Sequence, residues 1–432
     1  MRNITYEGPS TPLSEELDAM KYRQKGETFD GKVKRLARSL CDGTEHQWIL
    51  EDIFGNMRFL PAGRVQSAMG ADKLVTAYNC FVSGEIKDSM DSIMDRAKEA
   101  AETMRRGGGI GYDFSKVRPK GNTIKSLESQ ASGPISFMSI FDAVCQTISS
   151  SGHRRGAQMG VLRIDHPDIV DFITAKRNSD KLTGFNISLG ITDKFMEALS
   201  KEDDSFDLIF EGIVHETVSA NEIWNLAMES TWDWAEPGVL FIDRIKEMNN
   251  LYYCEDISAT NPCGEQPLPP YGACLLGSFN LTKYLTGDTG NYTFNFEQFK
   301  EDIPHVVRAQ DNVVDRTIYP LREQEDEAKN KRRMGLGITG LANAGEMLGF
   351  EYGSKPFLRW MEKVFACLRD NTYYASAKLA EEKGAFPLYR EEYLKGNFIR
   401  TLPSFVQKEI RKHGIRNSHL NRTYGNHLSR GR

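Results

Sequence analysis

The chain has 432 residues, 40% hydrophobic and 27% charged, with a formal net charge of -5. That length buries a large core, enough for one large domain or two to three ordinary ones, while the mild acidity argues against a dedicated nucleic-acid or anionic-membrane binder, which needs a clustered basic surface. No apolar run approaches membrane-spanning length and the start, MRNITYEGPSTPL, lacks the basic and apolar regions of a signal peptide, so a cytoplasmic, reducing setting without membrane or nucleic-acid partners is expected.

In chain order, residues 13 to 60 read as helices, with charged and apolar positions mixed at helical spacing in LSEELDAMKYRQKG and VKRLARSLCDG. This predicts a small N-terminal helical region over 1–60. A strand is expected over 74–82, with Cys80 near its end beside Asn79. DSMDSIMDRAKEAAETMRR predicts an amphipathic helix over 88–106 with Asp88 as its N-cap. It runs into Gly107-Gly-Gly-Ile-Gly111, where the chain can come very close to another group. Two polar loops, 118–133 and 149–157, flank an apolar helix, PISFMSIFDAVCQTI. His153, Arg154 and Arg155 make the second loop cationic, either a solvated surface or an anion contact.

Phe185–Ile191 alternates as a strand and passes into a short helix from Asp193; NEIWNLAMESTWDWA is another helix, followed by the strand-like VLFID. Strands alternating with helices mean α/β with parallel neighbours. Long helices dominate after residue 296, the clearest over 356–383 with Ser354 as cap and Gly384 as stop. Gly335-Leu-Gly-Ile-Thr-Gly340 fits the dinucleotide fingerprint, but it follows Lys331-Arg-Arg rather than an apolar strand. Helix packing through small residues is the expected meaning, and an NAD enzyme is disfavoured.

The seven cysteines (41, 80, 145, 254, 263, 274 and 367) are an odd number without a CxxC pair, so neither a disulfide scaffold nor a structural zinc site is indicated. For Cys41, Cys145 and Cys367 a small buried hydrophobe is the better reading. The stretch Asn261-Pro-Cys-Gly-Glu-Gln-Pro-Leu-Pro-Pro-Tyr-Gly-Ala-Cys274 is different. Its four prolines exclude an ordinary helix or central strand, and Gly264 and Gly272 supply turns or close approach. A stiff loop presenting Cys263 beside Glu265 is expected.

This loop, with FLPAGR and NCF upstream and RRMGLGITGLA downstream, closely resembles the catalytic subunit of ribonucleotide reductase, most nearly the adenosylcobalamin-dependent class II enzymes. The resemblance spans about residues 13 to 420. It implies a ten-stranded α/β barrel over 61–420, built of two five-stranded parallel halves set antiparallel, with the loop threading it. Cys263 would become the thiyl radical that takes the 3′ hydrogen of a ribonucleotide, Glu265 the general base on the 3′ hydroxyl, and Asn261 a ribose ligand. Cys80 and Cys274 would be the reducing pair, ending as a disulfide. Asn79, Gly108, Pro262 and Gly264 match substrate-contacting positions. Asp88, Ser89 and Met90, with Arg105 and Arg118, match the site for a dNTP or ATP effector, read through the two polar loops.

The implied partners are a thioredoxin- or glutaredoxin-type reductant and a second copy in a homodimer. The radical would come from adenosylcobalamin or, in a class I relative, from a dimetal small subunit. A general base two residues from the thiol, a reversible cytosolic disulfide and an external radical source are chemically consistent with these roles.

The family's phosphate loop is expected after Leu420, yet residues 421–432 form a polar tail. Codons for Asn-Arg-Thr-Tyr-Gly-Asn-His-Leu-Ser, read one base later, can spell Thr-Ala-Pro-Thr-Gly-Thr-Ile-Ser. An out-of-frame tail is therefore expected, leaving an incomplete barrel with exposed strand edges, poorly soluble or inactive alone and completed by a second polypeptide. The competing readings are a non-catalytic nucleotide-binding fragment and, more distantly, a papain-like thiol hydrolase, for which none of the eight histidines has a recognisable pairing context.

Overall fold

The computed structural model describes residues 6–124, 128–148, 156–177 and 181–421. His153, Arg154, Arg155 and the tail beyond 421 therefore lie outside the described residues. The chain forms two compact units, one of Met1–Asn79 with Cys274–Arg432, the other of Cys80–Ala273. Both mix helices and strands.

The Cys80–Ala273 unit is built on five parallel strands in the order Gly238–Phe241, Phe185–Ile191, Gln158–Arg163, Gly109–Asp113, Cys80–Val82. The expected α/β alternation is there because each strand is followed by a segment with helical apolar spacing. Helix Met90–Arg105 buries Ile93, Ala97, Ala100 and Met104, an i, i+4, i+7, i+11 stripe. That stripe packs with Ile110, Tyr112, Phe141, Phe185, Ile187 and Leu189 in one core cluster. Tyr112 meets Phe141 edge-on at 4.8 Å and donates its hydroxyl to Gln158 Oε1 at 2.9 Å. Burial holds that hydroxyl well above the ordinary phenol range, so it stays a donor.

Two expectations here need correction. The strand does not begin at Leu74: only Cys80–Val82 is extended and paired, and Leu74 is 76% exposed. β-Propensity in LVTAYN finds no partner strand to satisfy it. The helix cap is Ser89, whose hydroxyl accepts the Ser92 amide at 3.2 Å. Asp88 instead turns to Arg118, a stronger charged partner than a backbone amide.

In the other unit, Pro12–Lys21, Phe29–Leu40 and Thr44–Gly55 form the expected N-terminal helices. Strand Leu276–Asn280 pairs antiparallel with Phe59–Pro61 and parallel with Gly335–Thr339. The glycine motif is thus a strand, not a helix contact, a further correction of the sequence reading. Gly340 then takes φ 72° and caps Leu341–Met347. Arg332 and Met334 precede the strand, and Arg332 is buried, donating to Asp311 Oδ1 at 2.8 Å and Asp315 Oδ2 at 2.7 Å. The long helix Lys355–Lys383 has the expected Ser354 cap and ends at Gly384. Among the described residues no helix is long and apolar enough to cross a membrane.

Candidate functional site

Residues 259–268 form a tight hairpin in which Ala259–Thr260 pairs antiparallel with Pro267–Leu268. The prolines permit this because the pairing is only two residues long on each side. Gly264 takes φ 79°, as the turn requires. Asn261 organises the tip: its amide N–H donates to Gln266 O at 3.2 Å, its carbonyl accepts from Gly264 N–H at 2.9 Å, and its Oδ1 accepts from Gln266 N–H at 2.9 Å. Its Nδ2 donates to Glu265 Oε2 at 2.7 Å. Asn261 is fully buried while Cys263 is exposed at the apex. The thiol, the carboxylate and the carboxamide are therefore held on one turn, as the sequence implied.

The hairpin lies on the sheet face opposite the helices. An ideal Cβ on Gly111 would sit 1.7 Å from Thr260 O, so only glycine permits this approach. A Cβ on Gly109 would lie 2.9 Å from Pro262 Cγ and 3.5 Å from Cys80 Sγ. Cys80 is paired in register with Gly109 and is 2% exposed. The Gly107–Gly111 cluster thus does what its composition predicted, and it brings Cys80 and the Cys263 loop to the same patch of sheet. From the far side, Asn186 Nδ2 donates to Pro262 O at 2.7 Å. Sequence reading missed Asn186; the available signal was a lone carboxamide on the polar side of an alternating strand.

The other expected residues are placed less closely. Gly108 is a packing position, where a Cβ would meet the Phe81 ring and Thr103 Cγ2. Cys274 belongs to the other unit and is buried; within that unit its carbonyl accepts from Asn79 N–H at 3.4 Å. Asn79 Oδ1 is buried with no hydrogen-bond partner among the described residues.

Beyond the carboxyl ends of three of the parallel strands lies a cavity of about 710 Å³, lined in part by Ser83, Asp88, Lys116, Arg163, His166 and Lys246. Open parallel sheets place ligands at this end. Arg118 Nε lies 2.6 Å from Asp88 Oδ2, and the Arg118 amide donates to Asp88 Oδ1 at 3.2 Å. Ser89 and Met90 are exposed at the helix start. Arg105, at the opposite helix end, faces solvent with Glu102 at 3.6 Å, and among the described residues nothing joins it to the Asp88 cluster.

The family model "Ribonucleotide reductase, barrel domain" matches residues 78–423. The chain is 37% identical to a vitamin B12-dependent ribonucleoside-diphosphate reductase of Thermoplasma acidophilum over 78% of this chain and 44% of that protein. A Mycobacterium tuberculosis protein of the same description is 36% identical over 85% of this chain and 53% of its own length. The Monkeypox virus ribonucleoside-diphosphate reductase large subunit is 25% identical over 79% of this chain. The chain spans about half the length of the curated relatives it matches.

Proposed function

Because the chain belongs to the ribonucleotide reductase barrel family, we propose that it carries the radical half of ribonucleotide reduction, with Cys263 as the thiyl-forming residue in a barrel that ten strands complete. The observation that carries this reading is the Asn261–Glu265 turn. It is a buried, internally bonded loop with an exposed thiol at its apex, seated on glycines beside Cys80. Such rigidity is what a hydrogen-atom transfer needs, since the reacting atoms must be held nearly in contact.

On this reading Cys263 Sγ removes the 3′ hydrogen atom and becomes S–H. Glu265 takes the 3′-hydroxyl proton, its carboxylate held in place by Asn261 Nδ2. The 2′ hydroxyl leaves as water after protonation by one of the two reducing thiols, Cys80 and Cys274. Those thiols also give the 2′ carbon a hydrogen atom, supplying two electrons in all and ending as a disulfide. Glu265 returns its proton to the 3′ oxygen, and the hydrogen atom goes back from Cys263 to the 3′ carbon, restoring the thiyl radical. An external dithiol of the thioredoxin or glutaredoxin type restores the pair. Asn79, Gly108, Pro262 and Gly264 would line the ribose and base.

The names of the relatives favour adenosylcobalamin, which supplies a radical source when bound. The exposure of Cys263 fits a large group approaching the loop apex, and Cys263 is the residue that would face it. A dimetal small subunit would use the same exposed thiol. For regulation, a dNTP or ATP effector would take Arg118 away from Asp88 at the start of helix Met90–Arg105, with Ser89, Met90 and Arg105 nearby on one or the other copy of a homodimer.

The test is turnover. The chain is assayed for CDP and CTP reduction with dithiothreitol, with and without adenosylcobalamin. Cobalamin-dependent deoxynucleotide formation supports the class II reading. Turnover only with an added radical subunit supports class I. Nucleotide binding without turnover under either condition contradicts a catalytic role.

A further inference from the structure

We propose that Asn186 is a positioning residue for the Cys263 loop, its side-chain amide setting the orientation of the Pro262–Cys263 peptide and thereby the place of the thiol. The inference rests on reading Cys263 as the radical residue, and its geometry can be tested apart from that reading.

Strand Phe185–Ile191 alternates. Phe185, Ile187, Leu189 and Ile191 enter the helix-facing core, while Asn186 projects to the other face and is exposed. The register places Asn186 opposite Met159, Met159 opposite Gly111, and Gly111 opposite Val82. Asn186 therefore shares a pleat row with the glycine on which Thr260 rests. From this row its Nδ2 reaches Pro262 O at 2.7 Å. The turn's own bonds run through Asn261, Gly264, Glu265 and Gln266, and the Pro262 carbonyl takes part in none of them.

That carbonyl matters because the peptide unit is planar. Fixing the Pro262 C=O direction fixes the Cys263 N–H and the path to its Cα. Gly109 and Gly111 define how deep the loop sits, and Asn186 defines the rotation of the one peptide that leads into Cys263. The strand does not need the Asn186 side chain to fold, since its backbone is paired with Gln158–Arg163 along Phe185–Gly190 and with Gly238–Phe241 over Ser188–Ile191, and the side chain covers no core. An asparagine suits this position because it donates without charge and has only two side-chain torsions to hold.

Two variants and two readouts test this. In Asn186→Ala, amide hydrogen exchange at Gly264 and Gln266 should rise roughly fivefold, the amount one hydrogen bond is worth, while Ile187 and Leu189 keep their protection. In turnover assays the same variant should lose about 100-fold in kcat, with KM changed less than about twofold. Asn186→Asp should be impaired at neutral pH and recover towards wild-type kcat as the pH falls, because only the protonated acid donates. Loop exchange and kcat both within twofold of wild type in Asn186→Ala would overturn the proposal. So would loss of protection spread through the sheet together with a raised KM, which marks a general structural role. If the wild-type enzyme makes no deoxynucleotide but Asn186→Ala still loosens Gly264 and Gln266 alone, the clamp stands and the radical reading falls.

Discussion

Glu265 and Asn261 are joined at 2.7 Å on either side of Cys263, so a change of size at either moves the other's oxygen or nitrogen. Glu265→Gln keeps the shape but removes the base. Its kcat should fall by about 10²–10⁴, the usual worth of a positioned base, with little change in folded stability. A kcat within threefold of wild type in steady-state assays would take the base role away from Glu265. At the Asp88–Arg118 pair proposed for the effector, Arg118→Ala removes a charged donor and should weaken dNTP affinity about tenfold by calorimetry. Unchanged affinity would take the effector role away from Arg118. At this scale the sequence was informative where composition constrains the backbone. Four prolines and two glycines predicted a stiff loop, and Gly107–Gly111 predicted close approach, because these residues act through covalent geometry. It was uninformative where the partner is remote in sequence. Nothing within a few residues of Asp88 says that it prefers Arg118 to the Ser92 amide, or that Asn186 reaches Pro262.

Among the elements, the Gly109–Asp113 strand and the 259–268 hairpin fit only because Gly111 lacks a side chain. Gly111→Ala forces Thr260 off the sheet and should cost about 1–3 kcal/mol by denaturant unfolding, as overpacking does. A variant as stable as wild type would show that the hairpin is not seated there. In the other unit, helix Thr44–Gly55 meets Phe296–Arg316 through His46, whose Nδ1 accepts from Asp42 N–H at 3.1 Å while Nε2–H donates to His305 O at 3.1 Å. Both ring nitrogens are used by the neutral form. Burial, opposed by the His305 carbonyl bond, pushes His46 down to about 4. A histidine lowered in the folded state favours unfolding once the medium can protonate the unfolded chain. Its stabilisation is complete above about pH 6.5 and is lost as the pH falls towards 4. The melting temperature should decline across that window and decline less in His46→Gln; parallel slopes would exclude His46 as a cause. Helices of this kind were legible from apolar spacing and caps. The GLGIT segment was not, since a short glycine-rich run becomes a strand only when Leu276–Asn280 lies beside it.

At the scale of the molecule, alternation of strands and helices was enough to predict a parallel α/β sheet, because period-2 and period-3.6 patterns follow one another along 80–241. Strand order was not readable from those patterns, and the family resemblance implied only the number and direction of strands. Beyond Gly335–Thr339 the chain begins another parallel pairing, with Met334 N–H donating to His419 O at 2.9 Å, Leu336 N–H to Leu420 O at 2.7 Å, and Leu336 opposite Asn421. The central claim is that Cys263 starts the chemistry on a ribonucleotide. Its most direct measurement compares deoxycytidine nucleotide formed by the parent protein and by its Cys263→Ala variant, with cobalamin and dithiothreitol present. Turnover by the parent with none from the folded variant is the predicted result. Equal product from both would contradict the account.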